Sequence, residues 1–146
     1  MEKERHKITP ASYLFLTKDN KVLLLRRYNT GYEDGKYSMI AGHVDQGESF
    51  TQCMVREAQE EAGILIKPEN LTVVHIVNKY IDSERIDIFF TTDKWVGEII
   101  NKEPQKCDDL SWFDLDNLPE NVIPFVKNSI ECIKNKILYS EAGYKN

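Results

Sequence analysis

The sequence predicts an α/β fold, a mixed β-sheet with helices on both of its faces. Three observations predict it: short apolar segments separated by turn formers, an uninterrupted helical stretch over Phe50–Ala62, and a second apolar stripe at helical spacing after Pro124. All three lie within 146 residues, enough for one domain over residues 1–146 that buries roughly 70% of its unfolded surface.

Residues 11–17 and 22–27, parted by the turn-prone Lys18-Asp19-Asn20, predict a hairpin. Residues 29–36 (NTGYEDGK) are rich in turn formers and read as a loop, and residues 37–41 as a short strand. The helix over Phe50–Ala62 has Ser49 as N-cap and Gln52 as its capping-box partner, with no Pro or Gly inside. Gly63 supplies a left-handed stop, and Ile64 is placed to fold back on the last turn. Residues 71–81 and 85–92 predict a second hairpin, in which Ile86, Ile88 and Phe90 alternate with Asp87 and Phe89. Residues 109–115 (DLSWFDL) predict a further strand. Pro124 opens a final helix to about residue 140, whose stripe of Phe125, Val126, Ile130, Ile133 and Ile137 reads as core.

Chemistry concentrates on the first helix. At about 100° per residue, Glu60 and Glu61 flank Glu57 in one narrow arc, while Met54, Val55, Ala58 and Ala62 gather on another. Like charges three and four apart cost a helix a few tenths of a kcal/mol per pair, a sign that a cation reverses. Oxygen ligands of this kind suit Mg²⁺, Mn²⁺ or Ca²⁺ rather than zinc. By itself such a trio also reads as a solvated acidic face. Its neighbours argue against that: Gly42, Gly47 and Glu48 lie upstream, and Arg56 adjoins Glu57, close enough for its guanidinium to bridge Glu48 or Glu60 and fix a carboxylate.

The spacing runs Gly42-x5-Glu48-x7-Arg56-Glu57-Ala58-x-Glu60-Glu61-x-Gly63-Ile64. Setting aside the apolar positions Ala58 and Ile64, the seven remaining fixed positions coincide by chance on the order of once in 10⁸ to 10⁹ starting points. Residues 42–64 thereby resemble the Nudix box. The resemblance implies an α/β/α sandwich whose box forms a loop, helix, loop unit. It also implies metal-dependent hydrolysis of a nucleoside diphosphate linked to another moiety, with Mg²⁺ as cofactor and Mn²⁺ as a substitute. The first expectation is a MutT-like hydrolase that converts a nucleoside triphosphate, oxidised or not, to the monophosphate and pyrophosphate. The alternatives are a dinucleoside polyphosphate, ADP-ribose or nucleotide-sugar hydrolase, a non-catalytic nucleotide sensor, and a metal-buffering acidic domain. Motifs marking the coenzyme A and NADH subfamilies are not visible, and the Pro-Gly-Gly run that commonly enters the box is Ile40-Ala41-Gly42 here.

Carried over by position, Glu57, Glu60 and Glu61 resemble the metal ligands, Glu57 and Glu61 foremost. Arg56 and Glu48 resemble the pair that orients them, and the Ala41 carbonyl matches a main-chain ligand. Glu103, in NKEPQKCDDLSWF, resembles the later glutamate that completes the metal site or acts as general base; Glu98, Asp108 and Asp109 compete with it. For substrate, Arg27 stands where MutT-like proteins carry a contacting arginine. Only one of the adjacent Arg26 and Arg27 can face the site from a strand. Tyr32 and Tyr37 are candidates to stack on a base or to pack. Tyr80 falls where a tyrosine accompanies dinucleoside polyphosphate hydrolases, and His43 reads as an exposed or loop-bracing residue ahead of a phosphate contact.

A net charge of −5 and a pI near 5.3 speak against broad nucleic-acid or membrane-surface binding. They also imply that an anionic substrate comes with, or is bridged by, divalent cations. No apolar run is long enough to cross a membrane, and the charged start MEKERHK lacks the apolar core of a secretory signal. Cys53, Cys107 and Cys132 are odd in number and far apart, so they read as reduced thiols of a cytoplasmic protein. A monomer or homodimer is expected, with a small-molecule nucleotide as partner.

Overall fold

A computed structural model describes residues 3–145. In chain order the strands are β1 (Thr9–Leu14), β2 (Thr17–Lys18), β3 (Lys21–Arg27), β4 (Tyr37–Ser38) and β5 (Ile40–His43). Helix α1 (Phe50–Ala62) follows, then a short 3-10 turn at Pro68–Asn70. Strands β6 (Thr72–Ile81), β7 (Ser83–Thr91) and β8 (Cys107–Asp114), helix α2 (Pro124–Lys134) and β9 (Tyr139–Ala142) complete the chain.

The strands form two sheets. The larger is mixed, in the order β5-β1-β7-β6-β9, with β1 parallel to β7, β6 parallel to β9, and the other pairs antiparallel. In the smaller sheet β3 is central: β8 pairs along one of its edges, and β2 and β4 take the two ends of the other. Helix α1 packs one core, where Met54, Ala58 and Ala62 meet Leu14, Leu16, Ile40 and Phe90. Helix α2 packs the other, where Phe125, Val126 and Ile130 meet Phe15, Val77 and Phe89. β3 feeds both cores, Leu23 and Leu25 to the first and Val22 and Leu24 to the second. That is why it reads as an unbroken apolar run.

The first expected hairpin is corrected by this arrangement. Residues 11–17 do not form one strand paired with residues 22–27; the chain changes sheets at Phe15 and Leu16, whose side chains enter opposite cores. Only the two residues of β2 pair with β3. The second hairpin forms as expected around Asp82, which adopts φ 66°.

The final helix is also shorter than expected. It ends at Lys134, not near 140, and Lys136 turns the chain at φ 57° into β9, which the sequence reading did not foresee. Ile137 therefore leaves the helical stripe and is half-exposed, and its carbonyl accepts a hydrogen bond from His75 Nδ1 at 2.8 Å. His75 Nε2 meets Ser140 Oγ at 2.8 Å, so one buried imidazole joins β6 to both ends of this turn.

Between the large sheet and α2 lies a buried ion pair. Lys79 Nζ sits 2.7 Å from Asp87 Oδ2 and 3.4 Å from the centroid of the Phe125 ring. Both side chains are almost fully removed from solvent.

Candidate active site

Helix α1 starts where the sequence places it. Ser49 Oγ accepts from the Gln52 amide at 3.0 Å, and Gln52 Oε1 accepts from the Ser49 amide at 2.8 Å. At the other end Gly63 takes φ 71° and its N–H bonds to the Gln59 carbonyl. Cys53, Met54, Ala58 and Ala62 face the core; Val55, expected there, is half-buried. The helix lies across β1 and β5, tied down by Ser12 Oγ, which donates to the Phe50 carbonyl at 2.8 Å.

This placement presses the acids against an edge strand. A Cβ on Gly42 would stand 2.1 Å from Glu57 Oε1, so only glycine lets that carboxylate lie on β5. One residue earlier, the Ala41 N–H donates to Glu61 Oε2 at 3.0 Å. In an extended strand the carbonyl of a residue leaves on the same edge as its N–H, so the Ala41 oxygen faces the same space.

Arg56 organises the remaining carboxylates. Its Nε and Nη2 donate to Glu48 Oε2 and Oε1 at 2.8 and 2.9 Å, a bidentate fork. Its Nη1 donates to Glu57 Oε1 at 2.7 Å and to Glu60 Oε2 at 3.3 Å, and Nη2 also reaches the His43 carbonyl at 3.2 Å. The guanidinium thus bridges both Glu48 and Glu60 and orients Glu57 as well. His43 contributes its carbonyl to this arrangement, a role that the sequence did not signal.

The electrostatics divide the acids into two kinds. Arg56 and the Asp45 amide hold the Glu48 carboxyl down to about 2, so it is a fixed anion. Burial pushes Glu57 up, against the pull of Arg56. Burial pushes Glu61 well above the usual carboxylate range, helped by the charges of Glu57 and Glu103. Such partly buried, mutually repelling carboxylates are the donor set that a hard divalent cation stabilises. Among the described residues no three His, Cys, Asp or Glu side chains already close on one point. Mg²⁺ fits that arrangement, since it keeps several waters and takes only one or two carboxylates directly.

The acids open onto a cavity of about 440 Å³. Ala41, Gly42, Glu57, Glu60 and Glu61 line one side, from the large sheet and α1. Glu103 reaches it from the loop between β7 and β8, and Arg27 and Lys106 line it from the smaller sheet's side. Arg27 is braced by the loop that follows it, with Nε on the Tyr32 carbonyl at 2.6 Å and Nη2 on Thr30 Oγ1 at 3.1 Å. Asp34 ties that loop together through the Thr30 and Gly31 amides. The Thr30 hydroxyl, first among its donors, keeps the Asp34 carboxyl below its ordinary range.

Other candidates fall elsewhere. Arg26 points away, to Asp108 Oδ1 at 2.7 Å. Tyr37 is buried in the second core, edge-on to Phe113, with its hydroxyl donating to Asp109; burial and that carboxylate push it up to about 12. Tyr80 is half-exposed on β6 beside Tyr144. Tyr32 lies with its ring facing Arg27 and Arg85. None of Tyr32, Tyr37, Tyr80, Glu98, Asp108 and Asp109 lines the cavity. Lys106, Asn29, Thr30, Cys107 and Leu110 do, and sequence reasoning missed them. Lys106 was within reach, because it stands three residues beyond Glu103 in the same segment.

A family model described as NUDIX domain matches residues 7–134. The NAD-capped RNA hydrolase NudC of Stutzerimonas stutzeri is 32% identical over 119 residues, spanning 77% of this chain and 39% of that protein. An ADP-ribose pyrophosphatase of Methanocaldococcus jannaschii is 33% identical over 111 residues, 72% of this chain and 61% of its own length. The chain therefore spans less than two thirds of either relative. In fold it is similar to a MutT NUDIX hydrolase from Burkholderia pseudomallei, with a TM-score of 0.79 at 23% identity over 86% of this chain and 98% of that one. The box assembled on α1 and β5 and the match along most of the chain lead to one conclusion: the protein belongs to the Nudix family.

Proposed function

We propose that the protein hydrolyses a nucleoside diphosphate linked to another moiety, with Mg²⁺ as cofactor and Mn²⁺ as a substitute. The observation that carries this reading is the apposition of partly buried Glu57 and Glu61 to the Ala41–Gly42 edge, in a cavity that Arg27 and Lys106 also line. Carboxylates and cations lining one cavity suit a metal-bridged diphosphate. When bound, the cation neutralises phosphate oxygens and lowers the pKa of a bound water.

The protein's own groups do the rest. Glu57, Glu61 and the Ala41 carbonyl would hold the ion, and Glu60, more exposed, would add negative charge beside them. Arg56, itself pinned by Glu48, sets the direction of Glu57. Glu103 takes the proton from the attacking water as general base. Arg27 and Lys106 hold the phosphate oxygens in line for attack. The relatives' names, NAD-capped RNA hydrolase and ADP-ribose pyrophosphatase, support a substrate in which the diphosphate joins two organic groups. We place that class ahead of the nucleoside triphosphates first expected.

Incubating the chain with ADP-ribose, NADH, dinucleoside polyphosphates, nucleotide sugars and plain or oxidised triphosphates, with products resolved by chromatography, tests the reading. Mg²⁺-dependent release of a nucleoside monophosphate, abolished by EDTA and restored by Mg²⁺, is expected. Binding without turnover across the panel would leave a nucleotide sensor instead.

A further inference from the structure

The loop between β7 and β8, residues 92–106, has no regular strand of its own apart from a bridge of Val96 to Leu65. Long irregular loops of this kind usually serve function, and then something must fix their shape. Here the first anchor is the end of α1. The Ile100 amide donates to the Ala62 carbonyl and the Lys102 amide to the Glu61 carbonyl, both at 3.1 Å. Two carbonyls that a helix end leaves unpaired are thereby satisfied by the loop. The residue whose carboxylate faces the cavity has its own backbone tied to the residue before Glu103.

The second anchor is a single side chain. Asn101 Oδ1 accepts from the Glu103 amide at 3.0 Å, and Asn101 Nδ2 donates to the Cys107 carbonyl at 2.7 Å. Within the span so closed, the Glu103 carbonyl accepts from the Lys106 and Cys107 amides, each at 2.9 Å. Glu103 and Lys106 both stand on this turn and both line the cavity; Asn101 is half-buried and does not. The clip needs an acceptor and a donor on one short planar group, which only asparagine supplies at this length. Aspartate keeps the acceptor but turns a second oxygen on the Cys107 carbonyl.

We propose that Asn101 is a positioning residue, whose amide holds the Glu103 N–H and closes the turn that carries Glu103 to the cavity of the α1 carboxylates. The inference rests on the reading of Glu103 as the proton acceptor. It assigns to Asn101 an effect on turnover rather than on nucleotide affinity or on the α1 acids.

The test uses the full chain with Asn101→Ala, Asn101→Asp, Glu103→Gln and the Asn101→Ala/Glu103→Gln pair, assayed with Mg²⁺ on the best substrate of the panel above. Asn101→Ala is expected to lower kcat roughly 10- to 100-fold, as loss of an orienting partner does, with KM within about twofold. Asn101→Asp, which keeps the Glu103 bond, should recover part of the loss; it also carries the test if the alanine variant does not fold. In the Glu103→Gln background Asn101→Ala should cost little more, because the two act as a unit. Amide hydrogen exchange of the metal-free protein supplies a reading independent of turnover: the Glu103 amide should exchange faster in Asn101→Ala, and the Gly63 amide should not. An equal kcat loss from Asn101→Ala in both backgrounds, or unchanged exchange at Glu103, would overturn the assignment of Asn101. Wild-type turnover in Glu103→Gln would instead overturn the reading of Glu103, and with it the inference.

Discussion

Protonation of Glu61 removes a buried charge, so without a cation this residue makes the fold less stable as pH rises. The sign follows from the direction of its shift: a carboxyl raised in the folded state binds its proton more tightly there than in the unfolded chain, where it titrates near 4.3. Stability from this source is full below that value and is lost as pH climbs toward the folded pKa; Glu57, also raised, adds to the same limb. Glu48 works in the opposite sense. Held down to about 2, it stabilises above the unfolded value and loses that contribution as pH falls from about 4 to 2. In EDTA, the melting temperature measured by circular dichroism should therefore fall from about pH 4.5 toward neutrality. Glu61→Gln should flatten that limb, keep the fold, and cut Mg²⁺-dependent turnover by roughly 10³-fold, the few kcal/mol of transition-state stabilisation that a metal site supplies. Near wild-type turnover in this variant would sink the metal-site assignment. The contacts among Glu48, Arg56 and Glu57 were legible because the side chains lie on one helix and the loop before it, where spacing alone fixes who meets whom. Asn29 and Thr30 were not, because their place in the cavity depends on how the loop after β3 folds over residues far away in sequence.

Single elements explain which parts of the fold the sequence announced. Helix α1 was legible to the residue, since its cap, box and stop are all local hydrogen-bond chemistry. The first hairpin was not. Alternation and a turn signal predict that residues 11–17 return on residues 22–27, but Phe15 and Leu16 are claimed by different cores, and burial outweighs the local pairing. β9 was hidden for a related reason: Ile137 continues a helical stripe in sequence, while the turn at Lys136 and the His75 bonds divert the chain into the sheet. Two substitutions test packing at this scale. Gly42→Ala leaves no room for the Glu57 carboxylate, so it should abolish turnover and weaken Mn²⁺ binding by electron paramagnetic resonance while the protein stays folded. Asp87→Ala strands the buried Lys79 charge and should cost about 3–5 kcal/mol in urea unfolding, whereas Lys79→Met with Asp87→Leu should be nearly neutral. A small cost for Asp87→Ala alone would mean that the pair is not isolated from water as its burial indicates.

For the molecule as a whole, the net charge of −5 sets the terms on which anions approach. An acidic protein with buried acids in its cavity is held back by its own field, so Mg²⁺ should stabilise it by linkage. At 100 times the dissociation constant the gain is about 2.7 kcal/mol, seen as a higher melting temperature in the wild type and little change in Glu61→Gln. A Mg²⁺-insensitive wild type would count against a cation on α1. The family and the layered α/β plan were legible at this scale; the partition into two sheets was not, because strand order is set by long-range pairing. That partition has a consequence for how such a protein changes over generations. Its α1 carboxylates stand against an edge of the large sheet, whereas Arg27 belongs to the smaller one and Lys106 to the turn that leads into β8. The α1 carboxylates and Arg27 thus stand on separate scaffolds, joined by the turn that carries Glu103 and Lys106. A change along β3 would alter which molecule is accepted without touching the α1 carboxylates, whereas a change in the turn before β8 would touch Glu103 and Lys106 together.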